Sequence, residues 1–252
     1  VFTVGGLVIG VIAGYVVGLS KTALPGAALV VTPLIAAVAS GRAIPGASLP
    51  ILIAADVFAV AWYHHHARWD LLRNLVAWVA AGFVAGAAFF VVVGADTRSV
   101  EITIATIILL VVALQAARLV RRHPPAPATT AGAVTYGTAG GFTTFVSNTA
   151  GPIMNSYLVG LGLDKRELIG TSAWFYFAVN VAKIPCYVAL GRWTDGGRFF
   201  TAESLAYGAV LVPAVVAGVY SGRSLFARLP QGLFTWLVLA FSAAGAVKLL
   251  LG

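Results

Sequence analysis

Charge is what this sequence has least of. Of its 252 residues, 10% are Asp, Glu, Lys or Arg, against roughly 25% in a soluble domain. Residues 74–95, 204–222 and 229–247 contain none at all. Cysteine is represented once, by Cys186. That excludes an intrachain disulfide and any thiolate cluster, and inside an apolar run it reads as a packing residue. No P-loop, dinucleotide fingerprint or nucleophile elbow occurs, which argues against an ATP-driven pump encoded on this chain alone. The first apolar run lacks a basic n-region and leads directly into a second. It therefore reads as a span and not as a cleavable leader.

What the sequence has instead is apolar length. Sixty per cent of the residues are hydrophobic, more than a soluble globule of this size can hide. The uncharged runs approach or exceed the roughly 20 residues of a membrane-spanning helix. A closed β-barrel would alternate apolar and polar residues, and stretches such as Ile102–Leu114 do not. The expected fold is all-α: a polytopic membrane protein with helical segments near 2–19, 25–40, 46–66, 71–94, 99–119, 131–147, 151–163, 167–191, 201–222 and 231–251. A basic, proline-containing stretch from Arg121 to Pro127 divides them into five and five. This gives a first membrane repeat at 1–120, a linker at 121–130 and a second repeat at 131–252.

The net charge of +8 does not point to nucleic acid. The basic residues sit in short connections and form no single patch. One set of connections holds Arg68, Arg73, Arg118, Arg121, Arg122, Lys165, Arg166, Arg223 and Arg228. The other holds Arg42, Arg98, Arg192, Arg198 and Lys248. Nine against five places the linker in the cytoplasm and both termini outside. Trp62, Trp69 and Trp193 near segment ends suit the aromatic belt at a membrane surface.

The sequence also repeats itself. Shifted by 127 positions, Gly14–Pro25 falls on Gly141–Pro152, and the Ser-x-Thr-Ala-x-Pro core coincides without a gap. Shifted by 124, Gly46-Ala47-Ser48 falls on Gly170-Thr171-Ser172, Asp56 on Asn180, Tyr63 on Tyr187, and Arg68-Trp69 on Arg192-Trp193. Five segments per half is an odd number, so the second half enters the membrane from the opposite side. That is the inverted-repeat plan of many secondary transporters.

The repeated cores interrupt apolar stretches. Pro25 and Pro152 lack an N–H and disfavour helix in the residue before them. Helices are expected to break or re-enter there, near mid-membrane, where unwound backbone must be covered by protein or line a cavity. Freed N–H groups and the hydroxyls of Ser20, Thr22, Ser147 and Thr149, with Gly26 and Gly151 beside them, suit an anion. A proline-kinked helix whose Ser and Thr bond their own backbone is the alternative. Lys21 and Lys183 lie within apolar runs, where an ammonium is costly without a partner or water. They would supply positive potential, with Asn148, Asn155 and Asn180 as orienting donors. Asp56 either carries a coupling proton or neutralises a lysine, and Lys183 either faces the site or snorkels to an interface. Thr171 lies in the second repeated block, and Trp174, just after it, either walls the cavity or packs ordinarily. His64-His65-His66 cannot all face one ion from a helix and have no carboxylate-and-His set at ligand spacing, so no metal and no cofactor is expected.

At these residues the sequence resembles the sulfite exporter TauE/SafE family, also called the toluene sulfonate uptake permeases. The resemblance rests on Gly18–Gly26, on Ser147–Met154, and on Lys165–Trp174 continued by Asn180 and Lys183-Ile184-Pro185. It covers nearly the whole chain. It implies a bacterial inner-membrane carrier of small sulfur-containing or organic anions such as sulfite, thiosulfate, sulfoacetate or other organosulfonates. The expected partners are thus a small anion and the lipid bilayer, with the proton gradient as a candidate driving force. An anion channel and a membrane-embedded subunit without transport are the competing readings.

Overall fold

The computed structural model describes residues 3–22, 27–93, 95–121, 129–194, 197–225 and 231–251. Within them the regular structure is helical: α1 (Val4–Thr22), α2 (Val31–Ala36), α3 (Ala43–Tyr63), α4 (Trp69–Val93), α5 (Thr97–Arg121), α6 (Thr130–Ser147), α7 (Gly151–Gly160), α8 (Lys165–Trp193), α9 (Ala202–Leu225) and α10 (Gln231–Leu251). A 3-10 turn, Ala27–Val30, leads into α2, and another, His64–His66, follows α3. Six helices, α1, α3, α4, α5, α8 and α9, are long and apolar enough to cross a membrane. Their outward faces carry exposed Val84, Val92, Leu110 and Val210. In water such a surface would drive aggregation, whereas lipid solvates it. The chain is a multi-pass membrane protein.

The expected segments match these helices closely, and two of them are short. The second segment, expected over 25–40, is helical only over Ala27–Ala36, and the seventh stops at Gly160. Both are too short to span. Each is closed by a glycine in the left-handed region, Gly41 (φ +52°) and Gly162 (φ +70°), where a Cβ would be strained. α6 and α7 form a broken, returning pair, and α2 is a short helix after α1.

Helix α8 carries much of the site and starts on a firm cap. Asp164 accepts from the backbone N–H groups of Arg166 and Glu167, both at 2.8 Å, and Glu167 reaches back to the Asp164 N–H. This is a capping box. The bonds from Glu167 and Arg166 hold the Asp164 carboxyl below the usual carboxylate range.

Glycine seams set the helix pairing. α1 packs on α9 and α4 on α6. α3 packs on α8, and α5 on α10. A Cβ on Gly18 would lie 2.2 Å from the Val215 carbonyl oxygen, and one on Gly218 2.1 Å from that of Tyr15. In the α4–α6 seam, Gly82 would meet the Thr138 oxygen at 2.3 Å and Gly141 the Val79 oxygen at 2.4 Å. The obstacles are backbone, so a side chain there can fit only if the helices separate. The run Gly82-Phe83-Val84-Ala85-Gly86 is thus an intrachain seam. Gly82→Ala and Gly18→Ala are expected to lower stability by about 1–3 kcal/mol each, as overpacking does, read by thermal unfolding in detergent. Gly5→Ala, where a Cβ meets nothing within 4 Å, should not lower it.

The connections sort onto two faces. Arg68, between α3 and α4, pairs with Glu167 of α8 at 3.5 Å. The opposite face gathers Arg42 before α3, Arg98 at the start of α5, Thr194 after α8 and the end of α10. Arg42 donates to Thr194 Oγ1 and to the Phe90 carbonyl, and Arg98 to the Leu249 carbonyl at 2.9 Å. The Arg42 guanidinium also lies 5.6 Å from the ring centroids of both Phe90 and Phe199. Phe199 stacks on Tyr187 at 4.3 Å. This packed aromatic cluster lies on the Arg42 face.

Candidate functional site

The second repeated core breaks its helix as the prolines predict. α6 ends at Ser147, and Asn148 turns into the left-handed region (φ 57°) with its N–H on the Thr144 carbonyl, 3.1 Å. Asparagine tolerates this conformation better than other residues with a Cβ. α7 then starts at Gly151, with Pro152 in its first turn. There the missing N–H costs nothing. In the first core α1 runs to Thr22. Pro25 and Gly26, like the Thr22 side chain, lie outside the described residues.

Helices α1, α3, α6, α7 and α8 enclose a cavity of about 70 Å³. That is room for a few waters or one small oxyanion. Its polar lining is Ser20, Lys21, Thr144, Asn148, Asn155, Ser172, Tyr176 and Asn180, with the Gly151 N-terminus of α7. The lining extends to Leu168 and Ile169 in the first turns of α8, on the face away from Arg42. The positive end of the α7 dipole thus meets the cavity.

Two cations hold this region, in different ways. Lys21 Nζ lies 2.7 Å from Asp56 Oδ1 and 4.3 Å from the Tyr176 ring centroid. Asp56 is wholly buried, and its other oxygen accepts from Asn180 Nδ2 at 2.6 Å. Lys183 is also fully buried, but its contacts are neutral. It donates to the Thr144 carbonyl and hydroxyl, both at 3.2 Å, and to Asn148 Oδ1. Among the described residues it pairs with no carboxylate directly. A continuous polar thread results, from Lys21 through Asp56 to Asn180, then one turn along α8 to Lys183 and Asn148.

Of the residues singled out from sequence, Ser20, Lys21, Asn148, Gly151, Asn155 and Asn180 line this cavity, and Asp56 and Lys183 stand directly behind it. Others turn elsewhere. Ser20 Oγ returns to the Val17 carbonyl at 2.7 Å. Ser147 Oγ returns to the Thr143 carbonyl at 2.8 Å and meets the Thr149 hydroxyl at 2.6 Å. The serine hydroxyls of both cores are in this respect bonded to their own helix, although Ser20 still lines the cavity. Thr171 Oγ1 accepts from the Arg68 N–H at 3.0 Å and so ties α8 to the α3–α4 connection. Trp174 packs on Trp69 with centroids 5.0 Å apart, outside the cavity. Pro152 faces a separate groove.

Tyr176 and Ser172 were missed. The Tyr176 hydroxyl bonds the Gly151 carbonyl at 3.2 Å and Asn155 Oδ1 at 3.4 Å, joining α8 to α7. Ser172 Oγ is buried with no hydrogen-bond partner among the described residues, and it lines the cavity. The available signal was periodicity, since Ser172, Tyr176 and Asn180 recur every four residues on one helix face. His64, His65 and His66 are all exposed. No group of three His, Cys, Asp or Glu suited to a metal occurs among the described residues.

Searches of curated proteins and of solved structures gave no match. The family model described as Sulfite exporter TauE/SafE matches residues 7–249, nearly the entire chain. A helical membrane body around a donor-lined, lysine-bearing cavity agrees with that match: the chain belongs to the TauE/SafE sulfite exporter family, whose members are membrane transporters and not enzymes.

Proposed function

We propose that the chain is a secondary carrier of sulfite, thiosulfate, sulfoacetate or other organosulfonates, exposing one central site alternately to the two faces of the membrane. The observation that carries this reading is an ammonium beside each repeated core. Lys21 belongs to the first core, and Lys183 reaches Asn148 of the second. With Asp56 they leave one excess positive charge around the cavity, beside the positive end of the α7 dipole, which suits a small anion. A desolvated oxyanion needs fixed charge and donors of this kind.

The helix pairing supports two inverted repeats, 1–120 and 131–252, joined by a linker at 121–130. Exchanging α1–α5 with α6–α10 turns the α1–α9 pair into α6–α4. The same exchange maps α3–α8 and α5–α10 onto themselves. Such a scaffold has two equivalent openings. We read the aromatic cluster as closing the Arg42 face in this conformation, and the cavity extends toward the α8 N-terminus. The opposite arrangement is the second state. We place the protein in a bacterial inner membrane with the linker cytoplasmic and both termini outside, on the asymmetry of basic residues.

The ion pair supports a reading in which transport is coupled to protons. An anion that takes Lys21 deprives Asp56 of its counter-charge, and a buried carboxylate then favours a proton. Asp56→Asn is expected to make transport insensitive to an imposed pH gradient, measured in proteoliposomes. A gradient response equal to that of the unaltered chain would count against this role.

Ser172 separates binding from folding. Ser172→Ala removes a buried hydroxyl without a partner, so stability should hold or rise by up to about 1 kcal/mol. Anion affinity should fall about fivefold, the value of one hydrogen bond. Equilibrium binding of labelled sulfite, thiosulfate, sulfoacetate and toluenesulfonate to the detergent-purified chain reads the second effect. Saturable binding of at least one anion is expected, and binding of none would reject the substrate class.

A further inference from the structure

Helices α5, α6 and α7 leave a groove of about 250 Å³ between them, separate from the central cavity. One end is apolar, formed by Val111, Ala139 and Ile153. The other end holds Gln115, Arg118 and Tyr136. Arg118 lies two turns beyond Val111 on α5, toward the linker, and Tyr136 lies nearer the linker than Ala139 on α6. The groove therefore grades from polar at the membrane surface to apolar within.

Arg118 is half-buried there, and its partners among the described residues are neutral oxygens. Its two terminal nitrogens donate to Ser156 Oγ and, at 3.1 Å, to the Tyr136 hydroxyl. Among the described residues the ion pairs involve Lys21, Arg68 and Arg98, not Arg118. The sequence places Arg121 and Arg122 within the next four positions.

We propose that this groove is a binding site for an anionic phospholipid. Its phosphate is held by the Arg118 fork, and one acyl chain lies along Leu114, Ala139 and Ile153. Planar guanidinium matches phosphate in two parallel hydrogen bonds, which are stronger than bonds to neutral hydroxyls. Basic pockets between membrane helices have this character. A zwitterionic headgroup presents the same phosphate with its own ammonium nearby, so net charge decides the preference. The wider groove between α4 and α8 is not equivalent, because its cation, Arg73, stands one turn from the carboxylate of Asp70. The lipid would touch the back of α7, whose opposite side presents Gly151 and Asn155 to the cavity. The inference does not depend on which anion the cavity carries.

Native mass spectrometry of the delipidated full chain in neutral detergent tests it, with equimolar phosphatidylglycerol and phosphatidylcholine as probes. The unaltered chain should retain phosphatidylglycerol about fivefold over phosphatidylcholine, the effect of one basic residue at a membrane surface. Arg118→Gln should equalise the two lipids, and Arg118→Lys should keep most of the preference. Ala139→Leu, which shortens the apolar end, should lower retention of both, and Arg73→Gln should leave the preference intact. Equal retention by the unaltered chain would overturn the proposal. So would an undiminished preference in Arg118→Gln, or one lost only in Arg73→Gln.

Discussion

Lys21→Met is expected to remove anion transport and to destabilise the protein by about 3–5 kcal/mol, the cost of leaving one partner of a buried ion pair alone. Asp56 is wholly buried and keeps only the Asn180 amide when Lys21 is gone. The double variant Lys21→Met/Asp56→Asn should recover most of the lost stability, because an amide in place of the carboxylate carries no charge and still accepts from Asn180. It should not recover transport, because the ammonium that meets the anion is absent. Affinity should fall about thirtyfold or more in both variants, equivalent to the lower end of 2–5 kcal/mol for a buried charged hydrogen bond. Chemical unfolding in detergent with anion binding on the same samples completes the cycle. Additive losses of stability in the double variant would show that the two side chains are not coupled.

Lys183→Met should have a different signature. Lys183 is as buried as Asp56, but its acceptors are Thr144 and Asn148, which carry no charge. Methionine fills most of the same space, being one atom shorter, and removes a desolvated ammonium, which repays the hydrogen bonds lost. Stability should stay level or rise by about 1–3 kcal/mol, while transport falls at least tenfold. Lys21 and Lys183 thus part company in stability and agree in transport. A Lys183→Met protein that transports normally would make Lys183 a packing residue and leave Lys21 as the sole cation of the site.

These two lysines also show how much the sequence could tell. Aligning the repeated cores sets Lys21 against Asn148 and suggests unequal halves. The fold brings Lys183 from α8 onto Asn148, so each core has an ammonium beside it. Only tertiary packing makes that visible, because Lys183 is 35 residues away along the chain. The helices themselves were legible from apolar runs, since lipid imposes a length on each span. The break at Asn148 was legible from Pro152.

Thr171 and Trp174 lie off the cavity for a simple reason. Both neighbour the repeated Gly170-Thr171-Ser172 block, and proximity in sequence suggested proximity to the site. On a helix each step turns the side chain by about 100°, so Thr171, one step from Ser172, and Trp174, two steps from it, point elsewhere. Ser172 faces the cavity, and Thr171 and Trp174 flank it, one bonded to the Arg68 backbone and one packed on Trp69. The periodicity that identifies Ser172, Tyr176 and Asn180 as one face was present in the sequence. Nothing in it says which face of α8 turns inward, because α8 meets α3, α4, α6 and α7 on different sides.

Counterflow tests the central claim most directly. Proteoliposomes are loaded with unlabelled sulfite, and entry of labelled sulfite is followed at equal or lower outside concentration. A single site that alternates between faces predicts transient accumulation of label above equilibrium, saturating with outside sulfite and absent in Lys21→Met. Linear, unsaturating entry without overshoot, or an overshoot that persists unchanged in both Lys21→Met and Lys183→Met, would contradict it.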